Sequence, residues 1–400
     1  MNYPKVVISK QGAEFLGRGQ RWMYRNNLIS VEEACAKSPY ASIVDEDGNF
    51  YGAGFYKGVS YIPVRILSLN PDQVFDEAFF RRRIQAAWDY RKVTERNNLS
   101  NCRIVFGDAD FLPGLTVDCY NDVLVTQITT AGMERIKEKI YSILLDVLGA
   151  DGAKISGIYE RNDVKVRAKE GLELYKGPWN NADITTLQVI EENGLKLNVD
   201  IENGQKTGYF LDQKRNRLII REAAEGLRVL DCFTHTGGFA LNAAKGKARQ
   251  VTAVDVSETA LTEARANAAL NGLRNVSFVQ ADVFDYLDQI HQGDFDLIIL
   301  DPPAFTKDRR TVDHAYQGYK RINKQAMNLL RNGGYLATCS CSRYMETDLF
   351  EQMLKESAAE AGVYLRQISV TQQNSDHPVL WTMDETSYLK FFFFQVCPKD

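Results

Sequence analysis

The chain has 400 residues, of which 44% are hydrophobic and 25% charged, and its formal net charge is −4. This length predicts two or three domains with sizeable cores, and the composition is that of a globular protein. The net charge gives no sign of nucleic acid, no apolar run is long enough to span a membrane, and the first ten residues lack a secretory signal pattern; we therefore expect a cytoplasmic protein.

The N-terminal part, residues 1–70, alternates short apolar and polar segments with turns between them. The runs PKVVIS, YASIVDEDGNFYGAGFY and SYIPVRILSL are typical of strands, and the EDGN turn indicates a hairpin. The sequence predicts a small, mostly β domain here.

The middle part, residues 71–187, mixes helical and strand patterns. DEAFFRRRIQAAWDYRKVT and GMERIKEKIYSILLDVLG have helical spacing, whereas CRIVFGDADFLPGLTVDCY and DVLVTQIT are strand-like. The pattern predicts an α+β domain. The basic run Arg81–Arg83 is explained either by a solvated helix face or by contacts with phosphates.

The C-terminal part, residues 188–400, alternates strands and helices. The strand-like runs RVLDCF, QVTAVDVS, VSFVQADV, FDLIILDPP and GYLATCSCS are each followed by a segment with helical spacing. Such alternation predicts an α/β fold with a parallel, doubly wound sheet, in which ligands bind at the carboxyl ends of the strands.

Aspartates end the first three strands of this part. Asp231 precedes the turn Thr236–Gly238, whose glycines allow a ligand close to the backbone, and Asp255 and Asp282 end the next two strands. Each aspartate alone is equally explained as a helix cap. Together they would repel a phosphate-rich cofactor, and the spacing is not G-x-G-x-x-G. The pattern favours S-adenosylmethionine over a dinucleotide.

The seven cysteines are scattered, which excludes a disulfide framework, and C-x-C at Cys339 and Cys341 has no second ligand pair, so we expect no metal. Both cysteines fall near the end of the fifth strand, on one face if the strand runs that far. We predict that Cys339 packs in the core and that Cys341 is a nucleophile beside Asp301, which opens the stiff loop LDPPAF.

The motifs VLDCFTHTGGFA, AVDVS, QADVF, LDPPAF and CSCS resemble those of class I S-adenosylmethionine-dependent methyltransferases. With GRGQRWMYRNNL, GAGFY, DFLPGLTVDCY, KTGYFLDQKRNR and DHPV…SYLK, the chain resembles the bacterial 23S rRNA 5-methylcytosine methyltransferases of the large-subunit methyltransferase I group over nearly its whole length. The resemblance implies a PUA-like RNA-binding domain at 1–70, a central α+β domain at 71–187 and a Rossmann-like methyltransferase domain at 188–400. It implies S-adenosylmethionine as cofactor and 23S rRNA as partner. A homodimer is compatible with the sequence, which does not fix the oligomeric state.

The resemblance also assigns roles to individual residues. Cys341, the seventh residue counted from Gly334, matches the nucleophile, and Asp301 assists it. The residues that we expect to bind the cofactor are Gln213, Asp231, Phe233, Thr236, Gly237, Asp255, Asp282 and Asp301. Those that we expect to contact RNA are Pro302, Phe305, Trp22, Arg25 and Arg81.

The implied chemistry begins with the addition of the Cys341 thiolate to C6 of cytosine, which makes C5 able to accept the methyl group. Asp301 would hold the N3/N4 edge of a base that has been unstacked. In one respect this sequence departs from the resemblance. Many RNA 5-methylcytosine enzymes have a second cysteine where this chain has Ala304, so the group that assists release is unassigned.

Three alternatives remain open at this stage. DPPAF could be the amino-binding loop of an exocyclic-amine methyltransferase, although its aromatic residue comes one position late. The chain could be a non-catalytic RNA-binding protein with a degenerate cofactor fold. A nicotinamide dehydrogenase is disfavoured by the missing glycine triplet.

Overall fold

The structure is a computed structural model that describes residues 3–306, 308–330 and 332–399, without the side chain of Asn97. The chain forms two compact units. The first consists of the described residues up to Gln188 with Val199–Leu211 and Ser375–Thr386. The second consists of Val189–Asn198, Asp212–Asn374 and the chain from Ser387 onward.

The first unit begins with a six-stranded sheet of order β2-β6-β5-β4-β1-β3. The elements of this part are β1 (Lys5–Ile8), α1 (Lys10–Gly17), β2 (Trp22–Met23), β3 (Leu28–Val31), β4 (Tyr40–Val44), β5 (Phe50–Tyr56) and β6 (Val64–Ser68). The predicted hairpin is β4–β5. The helix α1 was not predicted; it begins after Ser9, whose hydroxyl accepts a hydrogen bond from the Gly12 amide at 3.2 Å.

The rest of the first unit contains a five-stranded sheet of order β11-β10-β9-β8-β7. Its elements are α2 (Glu77–Thr94), β7 (Asn101–Phe106), β8 (Leu115–Tyr120), β9 (Val123–Ile128), α3 (Ala131–Glu134), α4 (Lys137–Ala150), β10 (Gly157–Asn162), α5 (Val166–Lys169) and β11 (Tyr175–Pro178). The helix α2 is capped by Asp76 and buries Phe79, Phe80, Ile84, Ala87 and Trp88 along with Arg91. The second predicted helix is broken at Arg135 and Ile136, which separate α3 from α4.

A two-stranded ribbon, β12 (Leu187–Glu192) and β13 (Leu195–Asp200), precedes the large sheet. The remaining elements are α6 (Lys214–Ala223), β14 (Arg228–Cys232), α7 (Gly238–Lys245), β15 (Gln250–Asp255), α8 (Glu258–Leu270), β16 (Val276–Gln280), α9 (Val283–Leu287), β17 (Leu297–Leu300), α10 (Val312–Leu329), β18 (Tyr335–Ser340), α11 (Thr347–Ala361), β19 (Val363–Thr371) and β20 (Lys390–Pro398). The α/β fold class is confirmed.

The large sheet has the order β16-β15-β14-β17-β18-β20-β19. Its first five strands are parallel, as predicted, but β20 is antiparallel to both β18 and β19. A parallel neighbour needs a crossover connection, usually an α-helix, and the described chain has only a short 3-10 helix, Asp384–Thr386, between β19 and β20. The first residue of β20 therefore lies beside the carboxyl end of β18, where Lys390 pairs with Ser340.

The core of the second unit lies on both faces of this sheet. The strand β17 consists of four fully buried apolar residues, LIIL, because helices cover both of its faces. The carboxyl ends of the parallel strands meet at one edge, which is where the predicted aspartates and cysteines are placed.

Candidate active site

The loop after β14 places a buried carboxyl at this edge. Asp231 is 1% exposed, and its Oδ2 accepts hydrogen bonds from the Thr234 hydroxyl at 2.6 Å and the Ala240 amide at 2.8 Å. Among the described residues, no group donates to its Oδ1. Burial raises the pKa of Asp231 to about 7, and the carboxylates of Asp301 and Asp255 add to this rise. A buried acceptor of this kind suits the ammonium group of a ligand.

The backbone of the same loop is strained. Phe233, His235 and Gly237 have positive φ values of 64°, 52° and 89°. For residues other than glycine, this left-handed backbone conformation costs about 1 kcal/mol or more. A Cβ at Gly237 would also lie 3.2 Å from Leu241 and 3.3 Å from Ala264, so these neighbours would have to move slightly to admit one. Such strain at a strand end is typical of a loop shaped to receive a ligand.

The carboxylates of Asp255 and Asp282 both accept hydrogen bonds from backbone amides. The Asp255 carboxylate accepts from the His235 amide at 2.8 Å and the Ser257 amide at 2.9 Å, which joins the first two loops. Asp282 is exposed and caps α9 through the Phe284 amide at 2.8 Å. Thus the helix-cap alternative holds for Asp282, and a role for either aspartate in cofactor binding stays a prediction.

Asp301 lies in a polar cluster after β17. Gln213 is buried and donates from Nε2 to Asp301 Oδ1 at 3.0 Å. Its own Oε1 accepts a hydrogen bond from Asn216 Nδ2 at 2.6 Å. The Cys339 thiol also hydrogen bonds to Asp301. Burial and the carboxylate of Asp212 raise the pKa of Asp301 to about 6. The Asp301 carboxyl can therefore exchange a proton near neutral pH.

The two cysteines occupy different environments. The strand β18 ends at Ser340, so Cys341 lies one residue beyond it and is partly exposed, whereas Cys339 is fully buried. Burial raises the pKa of the Cys339 thiol well above its usual 9.0. The Ser342 hydroxyl donates to the Thr306 carbonyl at 2.9 Å, which ties the Cys341 loop to the loop that Asp301 opens. Of the two thiols, only Cys341 can meet a substrate.

Two buried polar residues near Cys341 were missed in the sequence. Lys390 donates from Nζ to the Ser342 carbonyl at 2.6 Å, and the Tyr319 hydroxyl accepts from Ser340 at 3.1 Å. The signal for Lys390 was a lysine at the head of the apolar run KFFFF. Tyr319 had no comparable signal, because a tyrosine in an amphipathic helix is ordinary.

Two other residues of the DPPAF loop, Pro302 and Phe305, pack against neighbouring residues, whereas Pro303 is exposed. Pro302 is buried, and the Phe305 ring lies 4.6 Å from the Tyr319 ring and 6.3 Å from the Phe284 ring. Phe305 thus has a packing role, and stacking on a target base stays a prediction.

The residues predicted to contact RNA lie in the first unit and make contacts there. Trp22 donates from Nε1 to Asp108 at 2.8 Å, and the exposed Arg25 donates to the Ser60 carbonyl at 3.1 Å. Arg81 forms ion pairs of 2.9 Å with Glu77 and with Asp146. These contacts fit a structural role, and the RNA contacts stay predictions.

Within the described ranges, no three His, Cys, Asp or Glu side chains are placed to share a metal ion. No helix in those ranges combines the length and the apolar character needed to cross a bilayer.

Comparison with known proteins gives consistent matches. Residues 174–395 match a family of S-adenosylmethionine-dependent methyltransferases, and residues 6–69 match a PUA-like domain. Ribosomal RNA large subunit methyltransferase I of Klebsiella pneumoniae (strain 342) is 40% identical over 395 residues, which are 98% of each chain. A solved structure of a SAM-dependent methyltransferase from Streptococcus mutans covers 99% of this chain and 100% of its own, with 22% identity and a TM-score of 0.82. SMU.776, a methyltransferase solved with SAH, has the same coverage and identity and a TM-score of 0.84. At this identity the structures show the fold alone.

The sheet order, the glycine loop and the first of these matches define the class, that of S-adenosylmethionine-dependent methyltransferases. The chain belongs to the ribosomal RNA large subunit methyltransferase I family. The predictions of a methyltransferase, of S-adenosylmethionine as cofactor and of a PUA-like domain are confirmed. The buried Oδ1 of Asp231, to which no described residue donates, fits a ligand that bears an ammonium group and no phosphate.

Replacing Asp255 by alanine is expected to weaken cofactor binding about 10- to 100-fold, because it removes a charged acceptor and frees the His235 amide. Calorimetry with S-adenosylhomocysteine measures the dissociation constant. Asp285→Ala, an exposed acid in the first turn of α9, is the control and should bind like the wild type. An unchanged dissociation constant in Asp255→Ala would remove Asp255 from the cofactor site.

Proposed function

We propose that this protein forms 5-methylcytosine in 23S rRNA, with Cys341 as the nucleophile. The observation that carries the proposal is the position of this thiol. It is partly exposed, just past the end of β18, on a loop that is tied to the Asp301 loop by the bond between Ser342 and Thr306. An exocyclic-amine methyltransferase needs no thiol at this place.

In the proposed reaction the Cys341 thiolate adds to C6 of the target cytosine, and the ring electrons that this releases make C5 nucleophilic. Asp301, with its pKa of about 6, can donate a proton toward N3 and accept a hydrogen bond from the N4 amino group. Gln213 fixes the orientation of Asp301. After methyl transfer, a base removes the C5 proton and Cys341 leaves as a thiolate.

The bound cofactor supplies an electrophilic methyl group. The residues proposed to hold it are Asp231, Phe233, Thr236, Gly237, Asp255, Asp282 and Gln213, with Asp301 at the boundary between cofactor and base. Asp231 is the strongest assignment, because its Oδ1, which accepts no hydrogen bond from the part of the chain that the structure describes, is a buried acceptor that suits the ammonium group of the amino acid moiety.

The target base must leave its stack to reach a thiol at the edge of a sheet. The PUA-like domain is proposed to bind the RNA around it through Trp22 and Arg25. Arg81 of α2 is a further candidate contact, and Pro302 and Phe305 are proposed to lie beside the base. The proposed location is the cytoplasm, because bacterial ribosomal subunits are assembled there. The domain boundaries near residues 70 and 187 and a homodimer remain predictions.

Nucleoside analysis of large-subunit rRNA, from cells with and without this protein, tests the proposed product. Loss of 5-methylcytosine is expected in the strain without the protein, and the affected nucleotide can then be mapped. Restoration of the mark by purified protein and S-adenosylmethionine is the control. Loss of an N-methylated nucleoside in its place would contradict the proposal and support the exocyclic-amine alternative.

A further inference from the structure

Lys390 contacts the backbone on both sides of Cys341. It is the first residue of β20, pairs with Ser340 of β18, and is only 6% exposed. Its Nζ donates to the carbonyls of Ser342 at 2.6 Å and of Tyr388 at 3.0 Å. Since Ser340 and Ser342 flank Cys341, the lysine holds both sides of the residue that carries the thiol.

The pKa of Lys390 reflects its burial and the charged groups near it. Burial lowers the pKa of Lys390 to about 8, while Cys341 and Glu346 act in the opposite direction. Cys341 is therefore close enough for its charge to favour the ammonium form. The same attraction favours the thiolate form of Cys341, because the interaction between two charged groups is mutual.

The described groups that interact with Cys341, Cys339 or Lys390 differ in charge. Tyr319 on α10 faces the thiol, and burial raises its pKa, so it is neutral at physiological pH. Cys339 on β18 also faces it, and its pKa is raised too. Asp301 after β17 interacts with Cys339, and Glu346 interacts with Lys390. As carboxylates, Asp301 and Glu346 oppose a thiolate, whereas the ammonium of Lys390 favours it. Arg343, two residues after Cys341, is a further cation, but its side chain is exposed to solvent.

We propose that Lys390 is a positioning residue that holds Cys341 as a thiolate and fixes the backbone on either side of it. The inference rests on the proposed role of Cys341 as the nucleophile. The proton balance is simple: the neutral Lys390 amine accepts the proton of the Cys341 thiol, which leaves an ammonium and a thiolate, and no further reactant is needed. The ammonium then remains in place when the thiolate leaves C6.

The test measures the ionisation of Cys341 directly, without RNA. Five of the seven cysteines are buried, and the other partly exposed one, Cys397, is replaced by serine in all proteins tested. Alkylation of the Cys341 peptide by iodoacetamide is followed by mass spectrometry from pH 5 to pH 10. In Lys390→Met, the pH of half-maximal reaction is expected to rise by about 1 to 3 units. At pH 7 the reaction should slow about tenfold or more.

Two further variants separate charge from structure. Lys390→Arg keeps the positive charge and should retain most of the low midpoint, even if Lys390→Met folds poorly. Lys324→Met removes a lysine that is paired with Glu360 on the surface of the same unit, and it should alkylate like the wild type. An unchanged midpoint in folded Lys390→Met, or a midpoint in Lys390→Arg as high as that of an isolated thiol, would overturn the inference.

Turnover then distinguishes this inference from the proposed function. The acid limb of the kcat profile should move to higher pH in Lys390→Met by the same amount as the alkylation midpoint. If Cys341→Ala stays active, the proposed nucleophile is wrong, whatever the thiol titration shows. If Cys341→Ala is inactive and the Lys390→Met titration and pH profile match the wild type, only the role of Lys390 is wrong.

Discussion

Replacing Cys341 by alanine is expected to abolish methylation, with a loss of roughly 10⁴-fold or more in kcat, as for other enzymes deprived of their nucleophile. The affinity for S-adenosylhomocysteine should not change, because Cys341 lies on the loop after β18 and is not among the residues predicted to bind the cofactor. Incorporation of a labelled methyl group into rRNA measures the first effect, and calorimetry measures the second.

The matched control for this experiment is Cys339→Ala, two residues away. It removes a buried thiol that hydrogen bonds to Asp301, so a loss of no more than about tenfold is expected. RNA that contains 5-fluorocytosine gives a second readout, because the fluorine cannot be removed as a proton and the thiol stays attached to C6. A covalent complex should form with the wild type and with Cys339→Ala, but not with Cys341→Ala. Trapping through Cys339 would show that the nucleophile lies one pleat earlier.

Replacing Asp231 by asparagine is expected to weaken cofactor binding about 100-fold or more and to change how stability depends on pH. In the wild type without cofactor, the folded carboxyl has a pKa of about 7 against its usual 3.8. Between these values the folded state retains a proton that the unfolded state has lost. The stability from this group is therefore full below about pH 4 and is lost as the pH rises to 7, by at most about 1.4 kcal/mol per pH unit.

Asp231→Asn has no such proton, so its free energy of unfolding should fall less than that of the wild type between pH 5 and pH 8. Chemical denaturation followed by circular dichroism measures this difference, and Asp285→Asn serves as the control with an exposed acid. Cofactor affinity in the wild type should rise as the pH approaches 7, since the ammonium group binds the ionised carboxylate. Equal pH dependence in Asp231→Asn and the wild type would assign the loss of stability to another group.

Much of the fold follows from local sequence patterns. The alternation of strands and helices after residue 188 depends on the period of apolar residues, which is a property of neighbouring positions. The antiparallel strand β20 did not follow, because the direction of a strand depends on how the chain returns to the sheet. The same limit applies to the helix α1, which is short and lies between strands of a mostly β part.

The site divides in the same way. The positions of Asp231, Asp255 and Asp301 at strand ends could be found by counting, because parallel strands bring their carboxyl ends to one edge. Whether an aspartate caps a helix or offers a free oxygen depends on three-dimensional neighbours. The structure shows Asp282 capping α9 and leaves Oδ1 of Asp231 without a donor among the described residues.

The order of the elements, the residue types at the strand ends and the spacing between Cys339 and Cys341 follow from local sequence. These depend on residues that are adjacent or a few positions apart. The tertiary structure decided that β18 ends between these cysteines, that Cys339 is sealed against Asp301 and that Lys390 faces Cys341 from a strand 49 positions later in the chain. Burial and electrostatic interaction act through space, so the reactivity of a thiol is set by neighbours that only the folded chain brings together.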